Sequence, residues 1–397
     1  MQLLFTEEYC QPERLFPFTA TRQVQDIRIG ILTIREKWEH LLGLVSADKK
    51  CDYYKDHPES VLIAPDMQAG EAILLHGNVL PTPALAKAVS ELQPGEGLGL
   101  PGYGGFAFRF SKTGITGAHS FRVAQIREFR DEPIDILEYA WQIFEWNDKY
   151  IRADFSLITD GRESAPPDPT NQIIGRENLF IEEGAVVSCA VINASTGPVY
   201  IGKKCLVMEG SVIRGPFSMG EGSVLKVGAK IYGATTLGPY CTGGGEIKNS
   251  VMMGWSNKAH DGYLGDSVIG HWCNLGAGTS NSNIKNTATP VKVWNHPNAV
   301  TDQTPGVKCG IFMGDHSRAA INTSFNTGTV IGVGANVFGA QGLTPKFIPS
   351  FSWGADGISR YSFEKFLSDT GNWMAFKSRR LTETEIRILE YVYDKEP

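Results

Sequence analysis

Ile201, Val207, Ile213, Met219, Leu225, Ile231 and Leu237 stand at a constant six-residue interval, and the interval returns in Met313, Ala319, Phe325, Ile331, Val337 and Leu343. An α-helix repeats about every 3.6 residues and a strand every second residue, so neither alone explains this beat. A hexapeptide period is the mark of a parallel β-helix, in which each short strand forms one side of a coil and one side chain per strand points into a stacked core. Glycine follows several of the inward positions, as in Ile201-Gly202, Met219-Gly220, Leu237-Gly238, Met313-Gly314 and Ile331-Gly332. Such a glycine suits a corner, because it tolerates backbone conformations that a Cβ hinders.

The tract covers only part of a chain of 397 residues, which is long enough for two or three units with separate cores. Net charge is −6, and no Lys/Arg run points to nucleic acid or to an anionic membrane as a partner. No basic-plus-apolar leader and no apolar run of spanning length is present, so the expected location is cytoplasmic. The seven cysteines are scattered and never form CxxC, which argues against a disulfide framework and a structural zinc site.

Residues 1–175 read as an α/β domain with a mainly parallel sheet. Leu3-Leu4-Phe5, Val61-Leu62-Ile63 and Ala72-Ile73-Leu74-Leu75 are its expected strands, and 82–93 and 133–147 show helical spacing. Residues 176–347 carry the β-helix, interrupted at 281–306 by a polar segment that reads as a loop thrown out from one coil. Residues 348–397 form an extension whose segment 380–394 is an amphipathic helix entered through a Thr382-x-x-Glu385 capping box.

The hexads become irregular at Glu246-Ile-Lys248, at Lys258-Ala-His260-Asp-Gly-Tyr263-Leu-Gly-Asp266 and at Asn274-Leu-Gly-Ala277-Gly278-Thr-Ser-Asn-Ser-Asn283. These elements, in this order, resemble the acetyltransferase half of the bifunctional glucosamine-1-phosphate N-acetyltransferase / N-acetylglucosamine-1-phosphate uridyltransferase family. The resemblance implies a left-handed, three-sided β-helix that assembles as a homotrimer with ligands between subunits, and acetyl-CoA as acyl donor. It makes His260 the general base, a task that an imidazole suits at neutral pH. Lys248 then holds the sugar phosphate with Tyr263 beside it, while Asn274 and Asn283 orient substrate hydroxyls or the base. Lys285 loosely matches the next family lysine. Backbone amides around Gly276, Ala277 and Gly278 offer strand-like pairing to a pantetheine arm, and Asp315 stands at a donor-contacting position. Without the motif, each of these residues has an ordinary structural reading: a solvated histidine, a surface lysine, a corner asparagine. The family's arginine before the lysine has no counterpart here beyond Lys226 or Lys230.

Nearer the N-terminus, Arg14-Leu-Phe-Pro-Phe-Thr19 resembles the end of the signature loop of sugar-1-phosphate nucleotidyltransferases, and Leu74-Leu75-His-Gly-Asn78 resembles their strand ending in Gly-Asp. Asn147-Asp-Lys-Tyr-Ile-Arg-Ala-Asp154 falls where a later metal ligand belongs. The catalytic details differ. Glu7-Glu8-Tyr-Cys-Gln-Pro-Glu13 replaces a glycine loop that wraps phosphates with backbone amides, and Asn78 replaces the Mg²⁺-binding aspartate. Arg14 and Arg22 remain candidates for phosphate contact, and Mg²⁺ enters only if this domain is active.

The leading expectation is therefore CoA-dependent acetyl transfer to an amino-sugar phosphate or a nucleotide-linked amino sugar, with no protein-bound metal. Two alternatives stay open: nucleotidyl transfer from UTP or dTTP to a hexose 1-phosphate, and a non-catalytic β-helix that binds sugar nucleotides.

Overall fold

Each of the seven residues from Ile201 to Leu237 at the six-residue interval is at most 1 % exposed. In the computed structural model, which describes residues 1–7, 10–46, 70–111, 123–295, 300–304, 306–356 and 359–395, these side chains stack into the core of a parallel β-helix. The coils contribute their short strands to three walls. The first wall has nine strands from Leu179–Ile181 to Phe347–Ile348, the second has ten from Val186–Val187 to Ser359–Arg360, and the third has six from Gln172–Ile174 to Tyr263–Gly265. Ile201 pairs with Met219 and Met219 with Leu237, so like residues sit directly above one another and each inward column is continuous. Burying such a side chain contributes roughly 1.5–3 kcal/mol, and the ladder between coils satisfies the backbone.

The second tract keeps the beat through Val337, but Leu343 is 55 % exposed and makes only an isolated bridge to Ser324. Ile348, fully buried and paired with Ile331, continues the first-wall column instead. The glycines after the inward residues serve a different need from the one expected. Gly238 and Gly332 do not have positive φ; a Cβ there would lie 1.9 Å from the Met253 carbonyl oxygen and 2.4 Å from the Ser350 nitrogen. The left-handed corner falls two residues later, and in successive coils it is occupied by Lys204, Gly222, Tyr240, Trp255, Trp272, His316 and Gly334, with φ between 56° and 69°.

The interruption is thrown out as expected. The chain leaves the coil after Asn281, forms an antiparallel pair of Lys292–Asn295 with Val300–Gln303, and returns so that Phe312 pairs with Val268.

Two compact units divide the chain: residues 1–12, 22–27 and 32–138 form one, and residues 13–21, 28–31 and 139–397 form the other. The first unit is built on β1 (Gln2–Thr6), β2 (Glu71–His76), β3 (Glu96–Leu100), β4 (Gly104–Ser111) and β5 (Gln125–Glu128), with helices α1 (Ile34–Leu42) and α2 (Pro83–Ser90). Its sheet order is β1-β2-β4-β3-β5, and β4 runs antiparallel to both neighbours, so the sheet is mixed rather than mainly parallel. The reason is local: Gly102 and Gly104 take φ of 76° and 98°, turning the chain straight back after β3. The expected strand at 61–63 lies outside the described residues.

The helical spacing at 133–147 is overridden. Asp135 and Leu137 bond the backbone of Leu80 and Asn78, and only α3 (Gln142–Glu145) and then α4 (Asn147–Thr159) are helical. Tertiary strand pairing wins over local periodicity there. In the second unit, α5 (Phe363–Ala375) and α6 (Glu383–Lys395) follow the β-helix, and the capping box forms as expected: Thr382 N–H donates to the Glu385 carboxylate at 2.7 Å and Glu385 N–H to Thr382 Oγ1 at 3.2 Å. No described helix is long and apolar enough to cross a membrane.

The stacked core makes a sharp distinction between neighbours on one coil. Ile231→Ala is expected to cost about 2–5 kcal/mol in chemical denaturation because it opens a cavity in a closed column. Val227→Ala, at a position 67 % exposed, should change stability by no more than about 0.5 kcal/mol.

Candidate functional site

The third wall gathers several of the polar residues singled out in the sequence. Glu246 pairs with Tyr263 and Lys248 with Gly265 along adjacent strands. The Tyr263 ring folds back over Gly265, where a Cβ would lie 2.1 Å from its hydroxyl. That hydroxyl accepts a hydrogen bond from Asn283 Nδ2 at 2.9 Å, and Asn283 also donates to the Asp266 carboxylate. Asp266 takes a left-handed φ of 49°, and its buried carboxylate accepts from Asn249 at 2.7 Å. On the other side, the Lys248 ammonium lies 6.0 Å from the Tyr232 ring centroid, and the Tyr232 hydroxyl donates to Glu246. Burial raises the Tyr263 phenol above its ordinary value, and hydrogen bonding to Glu246 does the same for Tyr232, so both remain neutral donors. Tyr263, Asn283, Asp266 and Asn249 thus form one hydrogen-bonded set, and Lys248 lies on the adjacent strand beside the separate Tyr232–Glu246 pair.

His260 sits at the corner leading into the Tyr263 strand, exposed, with no hydrogen bond from its ring among the described residues. Its backbone is pinned from below by Lys258, whose ammonium donates to the His260 carbonyl at 2.5 Å and to the Gly244 carbonyl at 3.1 Å. Lys258 is 1 % exposed and stands in an inward column, paired with Gly243. Burial lowers its pKa to about 8, with Asp261 acting in the opposite direction. Hexad counting misses this residue because the coil shortens here: Gly243 and Lys258 are paired, whereas Leu225 and Gly243 are eighteen apart (243 − 225). A lysine opposite a glycine in an inward column was the available signal.

The remaining residues are dispersed. Asn274 lies on the second wall between Asn257 and Arg318. The Gly276 and Gly278 amides are spent on the Ala319 and Asp261 carbonyls, which removes them from the pairing expected with a pantetheine arm; the Ala277 amide has no such bond among the described residues. Lys285 donates to the Pro290 carbonyl within the thrown-out segment. Asp315 stands apart: it is 5 % exposed, and its two oxygens accept from His271 N–H at 2.7 Å and Thr21 Oγ1 at 2.6 Å. Its carboxylate fastens chain to chain inside the fold and presents nothing to a donor.

The nucleotidyltransferase-like positions are likewise committed. Asn78 is 3 % exposed; its amide donates to the Leu137 carbonyl at 3.3 Å and its oxygen accepts from Tyr103, whose hydroxyl also meets His76 Nδ1 at 3.0 Å. Asn147 is fully buried. It accepts from Gly30 N–H at 2.7 Å and donates to the Ala234 carbonyl at 2.8 Å, while Asp154 accepts from Ile31 N–H at 2.8 Å. These side chains clasp residues 30–31 to α4 and the β-helix, and they do not fit a Mg²⁺–nucleotide site. No group of three or more His, Cys, Asp or Glu residues suited to a metal occurs among the described residues. The Arg14 guanidinium donates to the Tyr139 hydroxyl at 3.0 Å, and Arg22 is half-buried. In the loop that replaces the glycine cradle, the Glu7 carboxylate turns inward and accepts from Val24 N–H. Burial, with a smaller contribution from Asp26, pushes its pKa up to about 7 against that hydrogen bond. Glu8 lies outside the described residues.

Comparison with known proteins gives two separate likenesses. Residues 3–163 match the family model for sugar nucleotidyl transferases. A stretch of 88 residues is 36 % identical to the bifunctional protein GlmU of Methanocaldococcus jannaschii, covering 22 % of this chain and 21 % of that protein. Another of 93 residues is 37 % identical to the bifunctional sugar-1-phosphate nucleotidylyltransferase/acetyltransferase of Sulfurisphaera tokodaii, covering 23 % of each. The matches therefore span less than a quarter of these relatives. Among solved structures, the Arabidopsis UDP-N-acetylglucosamine acyltransferase aligns with 58 % of this chain and 90 % of its own at 14 % identity, with a TM-score of 0.21. The chain is thus similar to the bifunctional nucleotidyltransferase–acetyltransferases.

Glu7 and His76 give the first unit opposed pH responses. The folded-state pKa of Glu7 lies above its ordinary 4.5, so its contribution is fully present below that value and is lost as pH rises through about 7. Burial lowers His76 from 6.5 to about 4, so its contribution is present above 6.5 and is lost as pH falls towards 4. Glu7→Gln keeps an acceptor for Val24 N–H. It should stabilise the protein by about 1–3 kcal/mol at pH 8, have little effect near pH 4.5, and expose the acid sensitivity contributed by His76 in denaturation curves taken across that range.

Proposed function

We propose that this protein transfers an acetyl group from acetyl-CoA to the amine of an amino-sugar phosphate or nucleotide-linked amino sugar, with His260 as general base. The observation that carries this reading is the pairing of the Lys248 and Tyr263 strands on one wall, with Asn283 of the thrown-out segment bonded to the Tyr263 hydroxyl and the exposed His260 at the corner entering the same strand. The partial similarity to bifunctional acetyltransferases supports it.

The chemistry follows from the residue types. A protonated amine cannot attack a thioester, so the acceptor enters as the neutral amine. As nitrogen bonds to the acetyl carbon, its proton passes to the His260 imidazole. The carbon–sulfur bond then breaks, and the departing CoA thiolate takes the proton from the His260 imidazolium, which returns the base to its neutral form. The Lys248 ammonium holds the phosphate at a set distance from the amine, with the neutral Tyr263 hydroxyl as a neighbouring donor. Lys258 acts on the backbone of His260 and is a positioning residue. Asn274, on the adjoining wall, and Lys285 are the further acceptor contacts to test, and the Ala277 amide is the acyl-donor contact to test. Positioning and electrostatics supply the rate, and no metal takes part.

The three-sided coil further supports a homotrimer, since cyclic closure is the usual outcome for subunits of this shape. A trimeric mass by light scattering at micromolar concentration is expected, and a monomer would remove the shared site. The family-model match over residues 3–163 favours nucleotidyl transfer as a second reading. The committed side chains of Asn78, Asn147 and Asp154 and the inward Glu7 weigh against it. Formation of a nucleotide sugar from UTP or dTTP and a hexose 1-phosphate would reverse that order, with Arg14 and Arg22 as the phosphate contacts to test.

Release of CoA thiol from acetyl-CoA with glucosamine 1-phosphate is the direct assay. His260→Ala should lower turnover by about 10²–10⁴-fold while leaving acetyl-CoA binding and the folded state intact. Wild-type turnover in that variant would end the assignment.

A further inference from the structure

Lys285 and Lys346 are far apart in sequence and are brought together by the way the thrown-out segment packs on the last coils. Trp294 of that segment stacks on Phe347 with ring centroids 3.8 Å apart, and a Cβ on Gly328 would lie 2.6 Å from the Lys292 carbonyl oxygen and 2.7 Å from Val291 Cγ1. Each ammonium is fixed beside these contacts. Lys285 donates to the Pro290 carbonyl, next to Val291, while Lys346 donates to the Thr327 carbonyl, next to Gly328, and to Thr327 Oγ1 at 2.9 Å. Both lysines are half-buried, and neither joins an ion pair among the described residues. Burial and then the Lys285 charge lower the pKa of Lys346 below its ordinary value, so the two ammoniums stand within electrostatic reach of each other.

An ammonium has three N–H donors, so Lys346 keeps one and Lys285 keeps two for a ligand. Like charges held together without a carboxylate disfavour one another, and an anion that bridges them removes that cost. Phosphate oxygens are natural partners for such point charges. A diphosphate diester carries one negative charge on each phosphate, which matches two separate cations better than a single phosphate does. Lys285 also follows Asn283 by two residues, and Asn283 bonds the Tyr263 hydroxyl at 2.9 Å, so the pair adjoins the wall assigned to the acceptor. We propose that Lys285 and Lys346 bind a diphosphate group, and that the acceptor is accordingly a nucleotide-linked amino sugar rather than an amino-sugar 1-phosphate. The choice of acceptor rests on acetyl transfer as the reaction, whereas the diphosphate site stands without it.

Titration calorimetry on the full chain in metal-free buffer, with inorganic pyrophosphate and inorganic phosphate as probes at equal ionic strength, tests the site. Pyrophosphate should bind saturably and about tenfold more tightly than phosphate. Lys285→Gln and Lys346→Gln should each weaken pyrophosphate binding by about tenfold. Lys292→Gln removes an exposed lysine from the same segment and should change it by no more than about twofold. Lys285→Gln decides the matter by itself if Lys346→Gln does not fold. The site is overturned by pyrophosphate binding no tighter than phosphate, by undiminished binding in Lys285→Gln, or by an equal loss in Lys292→Gln. For the acceptor, release of CoA thiol is compared between UDP-glucosamine and glucosamine 1-phosphate. Lys285→Gln should raise KM several-fold for the first and leave it nearly unchanged for the second. Equal changes for both amines overturn the choice of acceptor. Acetylation of neither overturns acetyl transfer and that choice together, while the calorimetric result still decides the diphosphate site.

Discussion

The second unit depends on the vertical register of its coils. Because each strand is hydrogen-bonded to the equivalent strand of the next coil, an inward aliphatic residue at one level requires a compatible residue directly above it, as in the column that runs through Ile201, Met219 and Leu237. The same register brings outward residues of separate coils together on one wall, which is how Glu246, Lys248 and Tyr263 become neighbours.

Where the register departs from regularity, polar side chains enter the fold. The coil that contains His260 admits a lysine to an inward column, opposite a glycine, and uses that lysine's ammonium to hold the backbone of the corner. Asp266 and Asn281 are similarly placed inside the fold and spend their polar atoms on neighbouring turns; Asn281 brackets Gly265 through both its N–H and its carbonyl. These substitutions exchange apolar burial for satisfied polar contacts, and they set the shape of the Lys248–Tyr263–Asn283 surface. The ring ladder of Tyr240, Trp255 and Trp272, stacked at 4.1 and 4.8 Å, stiffens the corners on the opposite side, where Lys377 donates to the Trp255 carbonyl at 3.1 Å and to the Asn257 side chain at 3.1 Å.

The groups at the nucleotidyltransferase-like positions have become structural. Asn147 and Asp154 clasp a returning segment through its backbone N–H groups, Asn78 closes a buried network with Tyr103 and His76, and Glu7 caps Val24. An asparagine in these places donates and accepts without the cost of a buried charge, which suits a clasp better than a cation site.

The fold class of the second unit, the thrown-out segment and the capping box of the last helix were legible from sequence, because each rests on local spacing: one inward side chain per strand, a lost beat, a Thr and a Glu three residues apart. Spacing did not reveal that Leu343 would leave the column to Ile348, that 135–137 would pair with 78–80, or that Asp315 would be consumed by Thr21 and His271. Nor did it mark Lys346 or Lys258, each an ordinary cation in the sequence. Those outcomes were decided by tertiary structure, since whether a polar atom is satisfied, or a side chain enclosed, depends on groups that arrive from distant coils. Composition and periodicity carry no record of them.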